Sequence, residues 1–247
     1  MPIEFYLYLI AGALAGGFIN GLAGFGTALF ALGFWLQILE PGQAVPMVLV
    51  SAIVPGLQGA WIVRTEILNQ PKRLMRFLLP GLVGVPLGVS MLALINPDQL
   101  KVGIGVIMVL YGGYFSFRNT LPKLEKSMPF VDAFIGLIGG ILGGLASLSG
   151  ALPVMWCSLQ AWSKSDTRAV LQTFNLAILT TAAVAFLIKG MYTQEVLKLI
   201  AVTLPVSLLS AQAGLACFKH LNTDHFQRLI IFMMFISGTA LLIRGVI

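Results

Sequence analysis

Charge is scarce in this chain. Lys, Arg, Asp and Glu together make up 10% of its 247 residues, whereas an ordinary soluble domain carries about 25%. So few charges cannot cover a water-facing surface. All nine acidic residues (Glu4, Glu40, Glu66, Asp98, Glu125, Asp132, Asp166, Glu195 and Asp224) fall at the ends of apolar runs or between them. That placement argues against a proton relay of buried carboxylates and against a carboxylate-ringed cation pore. The two histidines, His220 and His225, sit together in the last connection with no further ligands nearby, so no metal centre is expected. The two cysteines, Cys157 and Cys217, lie in apolar stretches and read as small buried side chains rather than a disulfide or a redox pair. No Walker loop is present, so direct ATP drive is unsupported. No nucleophile–base pair or ligand cluster of the kind an enzyme needs appears, and no cofactor is called for. The N-terminal Met1-Pro2-Ile3-Glu4 lacks the basic start of a signal peptide and is expected to be retained.

What fills the chain is apolar: 58% hydrophobic residues with a mean hydropathy of +0.94. Crossing about 30 Å of hydrocarbon takes about 20 helical residues, and several such runs are present. Backbone groups in lipid need internal partners, so these runs must be helical. The alternating segments of about ten residues that mark a membrane barrel are missing. The expectation is an all-α, multi-pass protein of the cell membrane (the inner membrane in a bacterium), with the lipid bilayer as its solvent. The net charge of +6 does not point to nucleic acid, because basic residues in membrane proteins mostly mark cytoplasmic loops.

Eight apolar regions follow one another: 5–39, 44–63, 77–95, 100–117, 130–162, 168–188, 196–218 and 226–243. A charged connection at 64–76 and a turn signal at Asn96-Pro97-Asp98 separate the earlier ones. A polar joint at 121–129 divides a first membrane repeat, 1–120, from a second, 130–247. The two opening regions, of about 35 and about 33 residues, are too long for one crossing helix even when tilted. Each is interrupted by a glycine stretch. The first is Asn20-Gly21-Leu22-Ala23-Gly24-Phe25-Gly26-Thr27 and the second Gly143-Gly144-Leu145-Ala146-Ser147-Leu148-Ser149-Gly150. One offset of 123 residues aligns Gly16, Gly17, Gly21, Leu22, Ala23, Ala28 and Leu29 with Gly139, Gly140, Gly144, Leu145, Ala146, Ala151 and Leu152. Later in each half an offset of 126 aligns Gly88, Asn96 and Asp98 with Gly214, Asn222 and Asp224. The chain therefore reads as two repeats, each opened by a broken helix, re-entrant or discontinuous, and followed by three plain spans.

Charge does not decide how the broken elements cross. Full crossing puts ten of the fifteen basic residues on one side and a hairpin puts eleven there; both obey the positive-inside tendency. Run length favours the hairpin. A hairpin plus three spans is an odd count, which would invert the second repeat relative to the first.

A helix broken at membrane depth leaves polar backbone groups that only protein or a wet cavity can satisfy. Each new helix start also offers free N–H groups and a positive dipole end, a ready anion site. Interrupted segments at corresponding places in two halves are the best sequence pointer to a transporter's site. The candidate substrate-binding residues are Asn20, Gly21, Gly24, Phe25, Gly26 and Thr27 from the first stretch and Ser147, Ser149 and Gly150 from the second. Gln58 on the second span, Gln172, Thr173 and Asn175 on the sixth and Gln212 on the seventh either line the cavity or hydrogen-bond between helices. Gly12, Gly16, Gly17, Gly139 and Gly140 read as close-packing residues. Arg168, at a span end, reads as a snorkelling interface residue, with attraction of anions as the other reading.

The layout of two four-segment repeats, each opened by a stretch like Gly21-Leu22-Ala23-Gly24-Phe25-Gly26, resembles the sulfite exporter TauE/SafE family. The second stretch and the following Arg168-Ala169-Val170-Leu171-Gln172-Thr173 fit the same pattern, and the likeness covers essentially the whole chain. It departs at Thr27 and Ala28, where the family often continues in glycine, and at Phe174, where a serine is usual. The resemblance implies export or uptake of small sulfur-containing or organic anions such as sulfite or sulfoacetate. Two rival classes are a membrane enzyme acting on a lipid-like substrate and a non-transporting assembly factor whose polar break receives another helix. The anion, the direction of transport, the coupling ion and the oligomeric state, a homodimer included, are left open.

Overall fold

The computed structural model describes residues 3–91, 97–116 and 123–246. Among these residues there are eleven helices and no strand: α1 Ile3–Ala23, α2 Thr27–Trp35, α3 Pro41–Ile62, α4 Arg64–Asn69, α5 Pro71–Met91, α6 Pro97–Ser116, α7 Pro129–Ala146, α8 Ala151–Ser158, α9 Lys164–Ile188, α10 Gln194–His220 and α11 Thr223–Val246. Five of them, α1, α3, α5, α9 and α10, are long and apolar enough to span a bilayer. Large apolar side chains such as Leu79, Val83, Leu209 and Leu187 stand outward on the long helices, as expected where lipid replaces water. Pro46, Pro55, Pro80, Pro86 and Pro205 lie inside helices, a placement that packed membrane helices tolerate by re-satisfying the freed backbone groups.

The helices extend beyond the apolar runs. The charged connection at 64–76 is itself helical, formed by α4 and the first turns of α5. Apolar content marks where hydrocarbon ends, whereas hydrogen bonding carries the helix on into the interface. Ser163 and Thr193 cap α9 and α10, their hydroxyls accepting from the N–H groups of Asp166 and Val196. Within the polar joint, Leu124 exchanges backbone hydrogen bonds with Leu159 and Ala161. Residues 121 and 122 of that joint and Asn96 of the turn signal lie outside the described residues.

α1 stops where Gly24 and Gly26 take φ of +82° and +89°, a left-handed backbone that glycine enters without a Cβ penalty. α2 then runs back along α1. The Trp35 indole N–H donates to the Leu9 carbonyl at 2.9 Å, Gly12 accommodates the Trp35 ring, and Gly16 faces Ala31 and Thr27. α7 ends on Ser147 at φ 56°, with its last carbonyls taken by the N–H groups of Ser147 and Leu148. α8 returns along α7: Gly143 faces Ser149, Gly139 faces Pro153, and Trp156 Nε1 donates to Asp132 Oδ1 at 2.7 Å.

Helices distant in the chain pack closely on one another. Gly17 and Gly21 of α1 press on the backbone of Ser207 and Ala211 of α10. Gly140 and Gly144 of α7 press in the same way on Gly81 and Val85 of α5. On the far side, α6 and α11 cross where Gly112 meets Phe235 and Gly238 meets Met108. α3 and α9 lie antiparallel, with Gly59 near Arg168 and Gly56 near Gln172 and Leu176.

One end of the bundle gathers charge. Arg73 pairs with Asp166 at 3.6 Å and Lys123 with Asp224 at 3.0 Å. There too Arg76 donates to Ser127 Oγ and Lys164 to the carbonyls of Phe218, Lys219 and Leu221. Arg73 also stacks 4.4 Å from the Trp162 ring.

Candidate functional site

The two glycine stretches meet. A Cβ placed on Gly150 would stand 3.1 Å from the Phe25 ring, so the turn after α1 and the turn after α7 touch near the middle of the bundle. Between them lies a cavity bounded by Phe25, Gly26, Thr27, Ser147, Gly150 and Asn175, with Ala28, Leu29, Leu148, Ala151 and Leu179 completing the wall. Its volume is about 10 Å³, room for about one water. An oxyanion such as sulfite is larger than this space.

Each turn is braced by an amide. Asn20 Nδ2 donates to Thr27 Oγ1 and to the Ala52 carbonyl, both at 2.9 Å. These bonds tie α1, the start of α2 and the middle of α3 together. Ser149 donates to Asn175 Oδ1 at 2.6 Å, joining the second turn to the middle of α9. Asn20, Ser149 and Asn175 are all buried, and Asn20 Oδ1 has no partner. The first-turn amides of α2, on Thr27, Ala28 and Leu29, have no acceptor within their own helix. α8 offers fewer, because the Ala151 N–H bonds the Leu148 carbonyl at 3.4 Å and residue 153 is proline.

The remaining candidates divide. Gln172 lies beside the first turn, where a Cβ on Gly24 would come within 2.8 Å of Gln172 Oε1. Thr173 is half-buried, and its hydroxyl has no partner. Gly21 packs against α10 rather than facing the cavity. Gln58 and Gln212 lie elsewhere, lining an open groove of about 690 Å³ between α3 and α10 with Trp61, Lys219 and His220.

Arg168 is not a snorkelling interface residue. It is 0% exposed, with Nη1 donating to the Leu22 carbonyl at 3.0 Å and Nη2 to Gln172 Oε1 at 3.3 Å. Its guanidinium lies 4.4 Å over the Phe218 ring. The start of the apolar run at residue 168 suggested an interface, but α9 begins at Lys164, which carries Arg168 one turn inward. The readable signal was spacing: positions 168, 172 and 175 share one helical face. Of the cysteines, Cys157 is buried and Cys217 exposed, and both are free. The exposed Cys217 differs from the buried reading because its face of α10 points out of the bundle. Among the described residues no cluster of His, Cys, Asp and Glu could hold a metal.

An all-α bundle with several bilayer-length apolar helices is a multi-pass membrane protein. The sequence model of the family described as Sulfite exporter TauE/SafE matches residues 8–241, nearly the whole chain. The chain belongs to that family and is thus a membrane transport protein, not an enzyme. No curated protein and no solved structure matches it.

Proposed function

We propose that the chain is a permease for small sulfur-containing or organic anions such as sulfite or sulfoacetate. In this reading the anion is held between the starts of α2 and α8, and the protein works by alternating access. The observation that carries it is the approach of Gly150 to Phe25, which brings two helix starts to one cavity lined by neutral donors. Dipoles and hydroxyls without a fixed countercharge at that point hold an anion loosely enough to release it. The cavity has no room for the anion as it stands, so in this reading side chains around it, Phe25 foremost, move aside when the anion binds.

Two inverted repeats fit the same reading. Shifting Gly17 and Gly21 by 123 residues gives Gly140 and Gly144, and shifting Gly81 and Val85 by 126 gives Ser207 and Ala211. Contact pairs of α1 with α10 thereby map onto contact pairs of α7 with α5. Such paired, interrupted segments at the repeat interface are typical of secondary transporters. The hairpin reading puts eleven of the fifteen basic residues on one side, and that side faces the cytoplasm on the positive-inside tendency. The reading is tested by currents on a solid-supported membrane when sulfite or sulfoacetate is added to reconstituted protein. Current that is saturable and absent from empty liposomes is expected; protein that yields none and binds neither anion is not a permease for them.

A further inference from the structure

Arg168 is fully buried and has no carboxylate partner among the described residues. A buried charge is costly unless an opposite charge faces it. Its bonding is also incomplete. The Nε atom of Arg168 and the Nε2 atom of Gln172 are both enclosed and both lack an acceptor. The Leu22 carbonyl supplies only the partial negative end of α1, about half a charge. The guanidinium therefore keeps most of its positive charge in a dry place.

Only glycine backbone packs on the pair from two directions. Gly24, Gly56 and Gly59 converge on this pair from α1's end and from α3. A Cβ on Gly59 would lie 3.1 Å from Arg168 Nη2, and one on Gly56 3.3 Å from Gln172 Nε2. Phe218, packed edge-on against Phe226 at 5.3 Å, covers the guanidinium toward the charged end, where Lys164 Nζ lies 5.0 Å from the same Phe218 ring. Toward the middle of the bundle the same face of α9 continues to Asn175, which bonds Ser149 at the cavity. Seven residues of helix span about 10 Å.

We propose that Arg168 and Gln172 form a second anion station, on the charged-end side of the cavity, where the transported oxyanion is the missing countercharge. Arg168 Nε–H and Gln172 Nε2–H₂ are its free donors, and charge-assisted bonds of this kind to an oxyanion are the strong ones. The proposal rests on the permease reading above. It adds an order to the path: an anion meets a fixed positive charge at Arg168 and then the neutral donors at Thr27 and Gly150. Phe218 has to swing aside for passage at one end, as Phe25 does at the other.

The test uses full-length protein in detergent, with sulfite and sulfoacetate as probes, read by thermal shift and then by current after reconstitution. Arg168→Gln is expected to weaken anion binding by about tenfold or more. Because Arg168 also closes the end of α1, that variant risks unfolding, and Gln172→Glu is the decisive one. It places a carboxylate against the guanidinium. Its melting temperature without anion is expected to rise above the wild type, while the anion-induced shift and the current are lost. If wild-type protein responds to the anions and Gln172→Glu responds equally, Arg168 is a structural cap and the second station does not exist. If wild-type protein itself neither shifts nor conducts, the permease reading and this proposal fall together.

Discussion

Phe25 and Gly150 belong to turns 125 residues apart in the chain, yet a Cβ on the glycine would stand 3.1 Å from the phenylalanine ring. That contact closes the cavity between the starts of α2 and α8. Gly150→Leu is expected to wedge the ring in place. Anion flux should fall at least about tenfold, while overpacking costs about 1–3 kcal/mol of stability. Flux equal to the wild type in correctly folded variant would separate this contact from transport.

Phe25→Ala removes the side chain that the permease reading takes to close the cavity. The ring is buried, so the substitution is expected to cost about 3–5 kcal/mol and to leave a cavity large enough for an oxyanion. Anion leak without turnover control, measured as current that no longer saturates, is the expected phenotype.

Glycines at the interlocked helices should behave unlike glycines elsewhere. Gly21→Leu drives a side chain into the Ala211 backbone, which cannot give way as a flexible side chain could. Loss of folded protein is expected, scored by the monodisperse fraction on size exclusion. Gly42, with nothing within 4 Å of its would-be Cβ, is the control: Gly42→Ala should leave yield unchanged or gain up to about 1 kcal/mol.

Trp156→Phe keeps an aromatic ring but removes the indole donor from Asp132, which is 4% exposed. Asp132 retains Arg76 at 3.8 Å. An under-satisfied buried acceptor costs about 1–3 kcal/mol, so a lowered melting temperature is expected. Trp156→Phe combined with Asp132→Leu should recover much of it.

Cys217 is exposed and Cys157 buried. A small maleimide is therefore expected to modify one thiol per native chain in detergent and two after denaturation, read by intact-mass spectrometry. Modification of Cys157 in native protein would mean that α8 opens away from the core.

Much of the fold was legible beforehand. Helix and membrane follow from apolar run length, and the ends of α1 and α7 from glycine and serine at 24, 26 and 147, because these are local properties of the chain. The residues around the cavity were legible in part. Asn20, Thr27, Ser149, Gly150 and Asn175 sit at the cavity or brace its turns, since polar groups at an interruption have few other ways to be satisfied. Gln58 and Gln212 do not sit there. A glutamine on a span looks the same in sequence whether it faces a cavity or an outer groove, and only the rotation of α3 and α10 distinguishes the two. Arg168 was misplaced for a related reason: the apolar boundary marks a change of composition, not the start of the helix.

By itself, then, the order of residues determined an all-α, multi-pass membrane protein whose helices α1 and α7 end at glycine and serine, because hydrophobic length and backbone freedom act over neighbouring residues. Only the tertiary structure decided that Phe25 meets Gly150, that α1 packs on α10 while α7 packs on α5, and that Arg168 is enclosed without a carboxylate among the described residues. Those outcomes depend on which helix faces approach through space, and pairing between residues more than fifty positions apart leaves no local trace in the chain.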